Sequence, residues 1–286
     1  MNKARFGPAG NSQSFHDRGY KSSLDVPEYL KEFGLNAFEY QCGRGVNIGF
    51  DKAAALGEKC KEEDIQLSIH APYYISLASL EEEKRINSVD YILQSARAVN
   101  AMGGTRIVVH PGGLSGQSRG QATEIACETL KLAMKSLDSE GLGHIRLCME
   151  TMGKINQLGT LEEVLAFCLL DERFIPCVDF GHMNARTCGG LKTMADYEVI
   201  FTDIKDAIGH ERLKELHAHV SKIEYTPAGE KRHLTFSDTQ YGPGFEPVMD
   251  LCIKYGCAPT IICESDGTQA EDAKTMYDYY KINGGV

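Results

Sequence analysis

A short apolar segment ending in a polar residue, then a helix-like stretch, recurs along the whole chain, and this cadence constrains the fold more than any other feature. The segments are 4–8, 37–40, 66–70, 106–110, 146–150, 176–179, 216–220 and 260–264. They lie about 30 to 50 residues apart, the spacing of repeated βα units. Helix signals fill the gaps. Ser79-Leu80-Glu81-Glu82 has the pattern of a capping box and predicts a helix running towards Met102, with Gly103-Gly104 as its stop. Thr160-Leu161-Glu162-Glu163 predicts a second helix, ahead of an apolar run to Leu170. Stretches 122–137, 194–208, 245–254 and 269–281 also have helical periodicity. Eight strands alternating with helices predict one α/β domain over residues 1–286, a (β/α)8 TIM barrel. An open doubly wound sheet is the alternative, but no G-x-G-x-x-G follows the first segment.

In such a barrel the functional groups gather at the C-terminal ends of the strands. Six predicted strands in a row carry a potential metal ligand there: His70, His110, Glu150, Asp179, His217 and Glu264. A lone histidine or acid ending a strand is ordinarily a loop-facing polar residue. The repetition is what points to a site. Imidazoles and carboxylates are ligands of zinc, manganese and iron, and so many acids converging without a cation would repel one another. In Asp179-Phe180-Gly181-His182, Gly181 is expected to let the chain turn so that His182 faces the same cavity. His219 lies two residues beyond His217 and is expected to stand behind the ligands or face a substrate. His16, His144 and His210 fall outside the pattern and are expected at the surface.

The chain has 30 basic and 40 acidic residues and a net charge of −10. That argues against a nonspecific polyanion binder but not against a nucleic-acid enzyme, because bound cations and a local basic rim can offset the overall sign. No window approaches 18 uninterrupted apolar residues, which argues against a membrane-spanning helix. The opening residues lack the apolar core of a signal peptide, so a cytoplasmic protein is expected. The ten cysteines include no C-x-x-C pair, and several sit inside apolar runs, so buried free thiols are expected. No protein partner is implied.

Six stretches together resemble the endonuclease IV family of the xylose-isomerase-like TIM barrels. They are Ser68-Ile69-His70-Ala71-Pro72-Tyr73-Tyr74, Val108-Val109-His110-Pro111-Gly112-Gly113, Cys148-Met149-Glu150-Thr151, Val178-Asp179-Phe180-Gly181-His182, Leu216-His217-Ala218-His219-Val220-Ser221-Lys222 and Cys263-Glu264-Ser265. The resemblance covers nearly the full length. It implies three zinc ions and hydrolysis of the phosphodiester on the 5′ side of an abasic site in duplex DNA, in base-excision repair. By matching motif, His70, His110 and Glu150 would hold the first metal. Glu150, Asp179, His217 and Glu264 would hold the second, with Glu150 bridging, and His182 and His233 would serve the third. Glu150 and Glu264 are the candidate catalytic carboxylates. Tyr73 and Tyr74 match the loop that enters the DNA minor groove, where aromatic wedges kink a duplex; packing over the barrel rim is their other reading.

The chain departs from the pattern at the third metal. Where the family has an aspartate two residues before the last histidine, this sequence reads Lys231-Arg232-His233. A protonated lysine cannot ligate zinc. Two tightly held ions and a weak or empty third position are therefore expected, with Glu230 the nearest replacement ligand and the Lys231 ammonium an alternative occupant. Sugar isomerases and epimerases of the same superfamily use a Glu, Asp, His, Glu set around one Mn²⁺ or similar ion, and Glu150, Asp179, His217 and Glu264 resemble that set too. His70 and His110 discriminate, since a one-metal epimerase needs neither. A catalytically inert binding barrel would need no clustered ligands at all.

Overall fold

The computed structural model describes residues 3–285. β1 (Arg5–Pro8) leads through a short α1 (Gln13–Asp17) into α2 (Val26–Phe33), and β2 (Ala37–Gln41) into α3 (Phe50–Glu62). β3 (Gln66–His70) is followed by α4 (Glu82–Ala101), β4 (Arg106–Val109) by α5 (Arg119–Ser139), and β5 (Arg146–Glu150) by α6 (Leu161–Cys168). β6 (Phe174–Asp179) runs directly into α7 (Phe180–Arg186), with α8 (Met194–Ile208) and the single turn α9 (His210–Leu213) behind it. β7 (His217–Val220) continues into a hairpin, β8 (Lys222–Thr226) and β9 (Gly229–Leu234). Then come α10 (Glu246–Lys254), β10 (Thr260–Cys263) and α11 (Gln269–Ile282).

Eight parallel strands pair in the order β1-β10-β7-β6-β5-β4-β3-β2, with helices between them, as a TIM barrel requires. The strands match the predicted segments to within two residues. β6 is buried at all six positions, which is why it reads as a continuous apolar run rather than an alternating one. The ring closes between β1 and β2 through a seam rather than a full ladder. Ala9 bridges Glu39, and the Gly10 N–H donates to the Glu39 carbonyl at 2.9 Å. Lower down, Asn36 makes the join with backbone and side chain together: its N–H donates to the Phe6 carbonyl at 3.1 Å, its Oδ1 accepts from Phe6 N at 2.7 Å, and its Nδ2 donates to the Ala4 carbonyl at 3.1 Å. Gly7 makes this approach possible, because a Cβ there would lie 1.7 Å from the Ala37 carbonyl oxygen.

Two of the predicted caps fare differently. The Thr160 hydroxyl accepts from Glu163 N while the Glu163 carboxylate accepts from Thr160 N, a complete capping box. The Ser79 hydroxyl instead accepts from Glu81 N, and the extended backbone at Glu81 delays α4 to Glu82. Its first turn then places Glu82 and Glu83 against the positive end of the helix. The β8–β9 hairpin is absent from the predicted segments. It packs on α7 above the barrel mouth, and its exposed charged side chains break the apolar pattern of the barrel strands. All ten cysteines are free and eight are buried. His16, His144 and His210 are exposed. Among the described residues no helix is long and apolar enough to cross a membrane.

Candidate metal centre

Three groups of side chains converge at the barrel mouth, each with ligand atoms within 4.8 Å of one another. The first is His70, His110 and Glu150; the second is Glu150, Asp179, His219 and Glu264; the third is His182, Glu230 and His233. Glu150, at the end of β5, belongs to two of them. Its Oε2 lies 3.2 Å from His70 Nε2 and 2.9 Å from His110 Nε2, while its Oε1 lies 3.2 Å from His182 Nδ1 and 3.4 Å from His219 Nδ1. His219 Nδ1 is also 3.5 Å from Glu264 Oε1. Two larger hollows, about 510 and 560 Å³, lie at the other end of the barrel and are lined by no histidine. The mouth cavity, about 340 Å³, is lined by ligand side chains together with Tyr73, Met152, Lys154 and Gln157.

Hydrogen bonds outside the cluster settle which nitrogen of several imidazoles faces inward. His70 Nδ1 donates to the Ala71 carbonyl at 2.9 Å and His182 Nδ1 to the Thr151 carbonyl at 3.0 Å, so each keeps Nε2 free. His233 Nδ1 lies 2.9 Å from the Ser221 hydroxyl. His219 has the opposite orientation. Its Nε2 sits 3.0 Å from Glu39 Oε1 on β2, which leaves Nδ1 for the second group. Asp179 also caps α7, its Oδ1 accepting from His182 N at 2.6 Å. Gly181 serves close packing rather than a turn: it lies within α7, and a Cβ there would meet the Ser221 carbonyl oxygen at 2.7 Å.

Two expectations about ligands are corrected by this geometry. His217 does not join Glu150, Asp179 and Glu264; His219 does. Residues two apart on β7 both point into the barrel, but the register aligns His219 with Asp179, whereas His217 aligns with Cys177 one layer deeper. There His217 Nε2 donates to Glu39 Oε2 at 3.0 Å, and burial pushes its pKa down to about 4, so the ring stays neutral. Cys177, His217 and His219 also lie close together, but this group sits in the fully buried layer beneath the mouth, and both imidazoles there already meet Glu39 through Nε2. Glu39 itself was missed. It is fully buried and accepts from Ser68 Oγ at 2.9 Å, and the only trace it leaves in the sequence is an acid in the middle of the apolar segment 37–40.

Lys231 is the second correction, and its cause is a β-bulge. Glu224 pairs with Arg232 and Tyr225 with Glu230, so Lys231 is the extra residue between them. The slip turns Lys231 and Arg232 both outward, where Nζ of one and Nε of the other reach the Glu224 carboxylate at 2.5 and 2.7 Å. Glu230 and His233 both turn inward, and Glu230 Oε2 lies 3.4 Å from His182 Nε2. Lys231 therefore occupies no part of the third group, and that group has a carboxylate after all.

The donor set suits divalent cations. Glu150 Oε1, Asp179 Oδ2 and His219 Nδ1 are buried, mutually adjacent and without hydrogen-bond partners, the pattern of ligand atoms awaiting an ion. Burial, with Glu264 and Glu150 beside it, pushes Asp179 up to about 8. Burial opposes the charge on His182 and His219, yet Asp179 and Glu150 raise His182, and Cys177 with the carboxylates of Glu264, Glu39 and Glu150 raises His219, both well above the ordinary value. Glu150 is driven the other way: burial would raise it, but His110 and His219 hold it well below the carboxylate range. Tyr73 and Tyr74 are both exposed; the Tyr73 ring lines the cavity and stacks on His110 at 5.5 Å, whereas the Tyr74 ring lies 5.9 Å from that of Tyr91 on α4.

A sequence profile described as xylose isomerase-like TIM barrel matches residues 27–280. An uncharacterised protein of Methanocaldococcus jannaschii is 33% identical over 277 residues, 97% of each chain. A probable endonuclease 4 of Acholeplasma laidlawii is 30% identical over 183 residues, spanning 60% of this chain and 59% of that relative. Among solved structures, a D-tagatose 3-epimerase-like protein superposes with a TM-score of 0.70 at 20% identity, covering 90% of this chain and 92% of its own. Endonuclease IV from Thermus thermophilus superposes with a TM-score of 0.65 at 20% identity, covering 92% and 96%. At that identity the two superpositions show the shared fold alone. The profile match over most of the chain shows more: this protein belongs to the xylose isomerase-like TIM-barrel family.

Proposed function

We propose that the chain is a metal-dependent phosphodiesterase of the endonuclease IV type, cutting duplex DNA on the 5′ side of an abasic site. The observation that carries this reading is the pair of ligand groups on either side of the central quartet. Glu150, Asp179, His219 and Glu264 alone would serve a one-metal ketose epimerase. Such an enzyme gives no reason for His70 and His110 to meet on Glu150, or for a bulge to bring Glu230 to His182 and His233.

The three groups would hold three ions, zinc being the best match to mixed imidazole and carboxylate donors, with Mn²⁺ the alternative. Bound cations would supply Lewis-acid stabilisation of the charge that builds on a phosphodiester under attack. The protein's own residues account for the rest. Glu150, shared by two groups, fixes their spacing. Lys154 and Gln157, on the cavity wall, offer donors to phosphate oxygens. Tyr73 presents an exposed ring on the cavity wall, with exposed Tyr74 next to it in the chain, and such rings suit stacking against an unpaired site in a duplex.

The test is elemental analysis of the purified protein, followed by incubation with a duplex carrying one abasic site and, separately, with ketoses. Two or three zinc ions per chain and a single nick 5′ to the abasic site are expected. A single manganese with ketose epimerisation and no nicking would overturn the assignment.

A further inference from the structure

At the base of the barrel, opposite the metal centre, Arg106 opens β4 and is more than nine-tenths buried. Its guanidinium makes one hydrogen bond, from Nη1 to Thr260 Oγ1 at 3.2 Å, and among the described residues no carboxylate lies within ion-pairing distance. A guanidinium cannot shed its proton, so Arg106 is a buried cation with no directly paired carboxylate, Glu215 on the same cavity wall being taken by Arg146, and such a cation is costly unless something compensates it. It faces a cavity of about 250 Å³ whose wall also holds Lys3, Arg5, Arg146, Glu215 and Thr260.

The local charge runs against that of the whole chain. Lys3 and Arg5 share one carboxylate, Asp64, at 2.9 Å each, and Arg146 pairs with Glu215. Four cations stand against two acids, an excess of two positive charges in a protein whose net charge is −10. Arg5, Arg106, Arg146 and Thr260 are each the first residue of a barrel strand, so rigid backbone places all four around one cavity. Planar guanidinium forks converging on a small cavity are the protein groups best suited to a tetrahedral oxyanion.

We propose that this cavity is a binding site for a doubly charged oxyanion of the phosphate class, separate from the metal centre, with Arg106 as its principal donor. Occupancy would neutralise the excess charge at the barrel base and stabilise the fold by mass action.

The experiment titrates inorganic phosphate into the metal-loaded full chain, by calorimetry and by thermal unfolding, for the native protein and for Arg106→Met. Phosphate bound at the metal centre contributes equally to both proteins and cancels in the comparison. The native protein should show an additional binding event that the variant lacks or binds roughly tenfold or more weakly. Without phosphate the variant should melt no lower than the native chain, because a buried unpaired charge has been removed. Glu215→Gln is the second variant and keeps the test decisive if Arg106→Met does not fold. It frees Arg146 and removes a negative charge from the cavity wall, so phosphate should bind more tightly. Crystals soaked in selenate should show anomalous density between Arg106 and Arg146. Equal phosphate responses in the native and Arg106→Met proteins, no gain in Glu215→Gln, or selenate only at the metal centre would each overturn the proposal.

Discussion

An imidazole offers one ring nitrogen to a metal only when the other nitrogen holds its proton in place, so the partner of that second nitrogen matters as much as the ligand. At His219 the partner is Glu39, which also anchors His217 and Ser68. Glu39→Gln keeps the size of the side chain but removes the charge that orients two imidazoles. The variant should fold and lose roughly 10- to 100-fold in affinity for the ion of the second group, measured by chelator competition. Unchanged affinity would show that His219 is oriented without Glu39. The sequence made His70, His110, Glu150, Asp179, His182 and Glu264 legible as a set, because each lies at or just beyond the end of a barrel strand. It misread His217 and His219, since both side chains enter the barrel and only the register with Asp179 shows which is at the level of the cluster. Glu39 stayed hidden because its partners are 29, 178 and 180 residues away in the chain.

At the scale of elements, the eight strands and most helices could be read from apolar periodicity, since each is a local pattern repeated in a known order. The β8–β9 hairpin could not. Its bulge depends on which residues of one strand face which of the other, and that is fixed by packing on α7 rather than by composition. The bulge makes three variants diverge. Lys231→Asp places an acid on the outer face beside Glu224 and should add no metal affinity. Glu230→Gln should empty the third position while leaving the other two filled. Deleting Lys231 yields Glu-Arg-His in regular alternation, with Glu and His on the same inner face, and should retain the third ion. Metal content per chain, measured on all three, checks the account; tighter binding in Lys231→Asp would show that Lys231, not Glu230, occupies the inner face.

Metal binding at this cluster would couple to protons held across the whole molecule. In the metal-free protein Asp179 titrates at about 8 rather than its ordinary 3.8, chiefly through burial, so the folded state holds a proton that the unfolded chain releases. The Asp179 contribution to stability is therefore complete below about pH 4 and is lost as pH rises towards 8. His182 and His219, raised by the groups around them despite burial, act in the same direction above the ordinary histidine value. Ions displace those protons, so the gap in Tm between metal-loaded and metal-free protein should widen steadily as pH rises from 5 to 8. Thermal unfolding across that range checks it, and a constant gap would mean that no proton is exchanged for metal. The candidate ligands come from the arc of strands β3 to β7 and the start of α7, from β9 and from the end of β10; none comes from β1 or β2, whose edges meet through one bridge, the Gly10 and Asn36 backbone N–H groups and the Asn36 side chain. Bound ions would brace the arc and leave that joint outside the brace. In amide hydrogen exchange, the groups facing the joint should lose protection long before those of β5 and β6, and loading the protein should slow the arc far more than the joint. The ring, in other words, should breathe at its clasp.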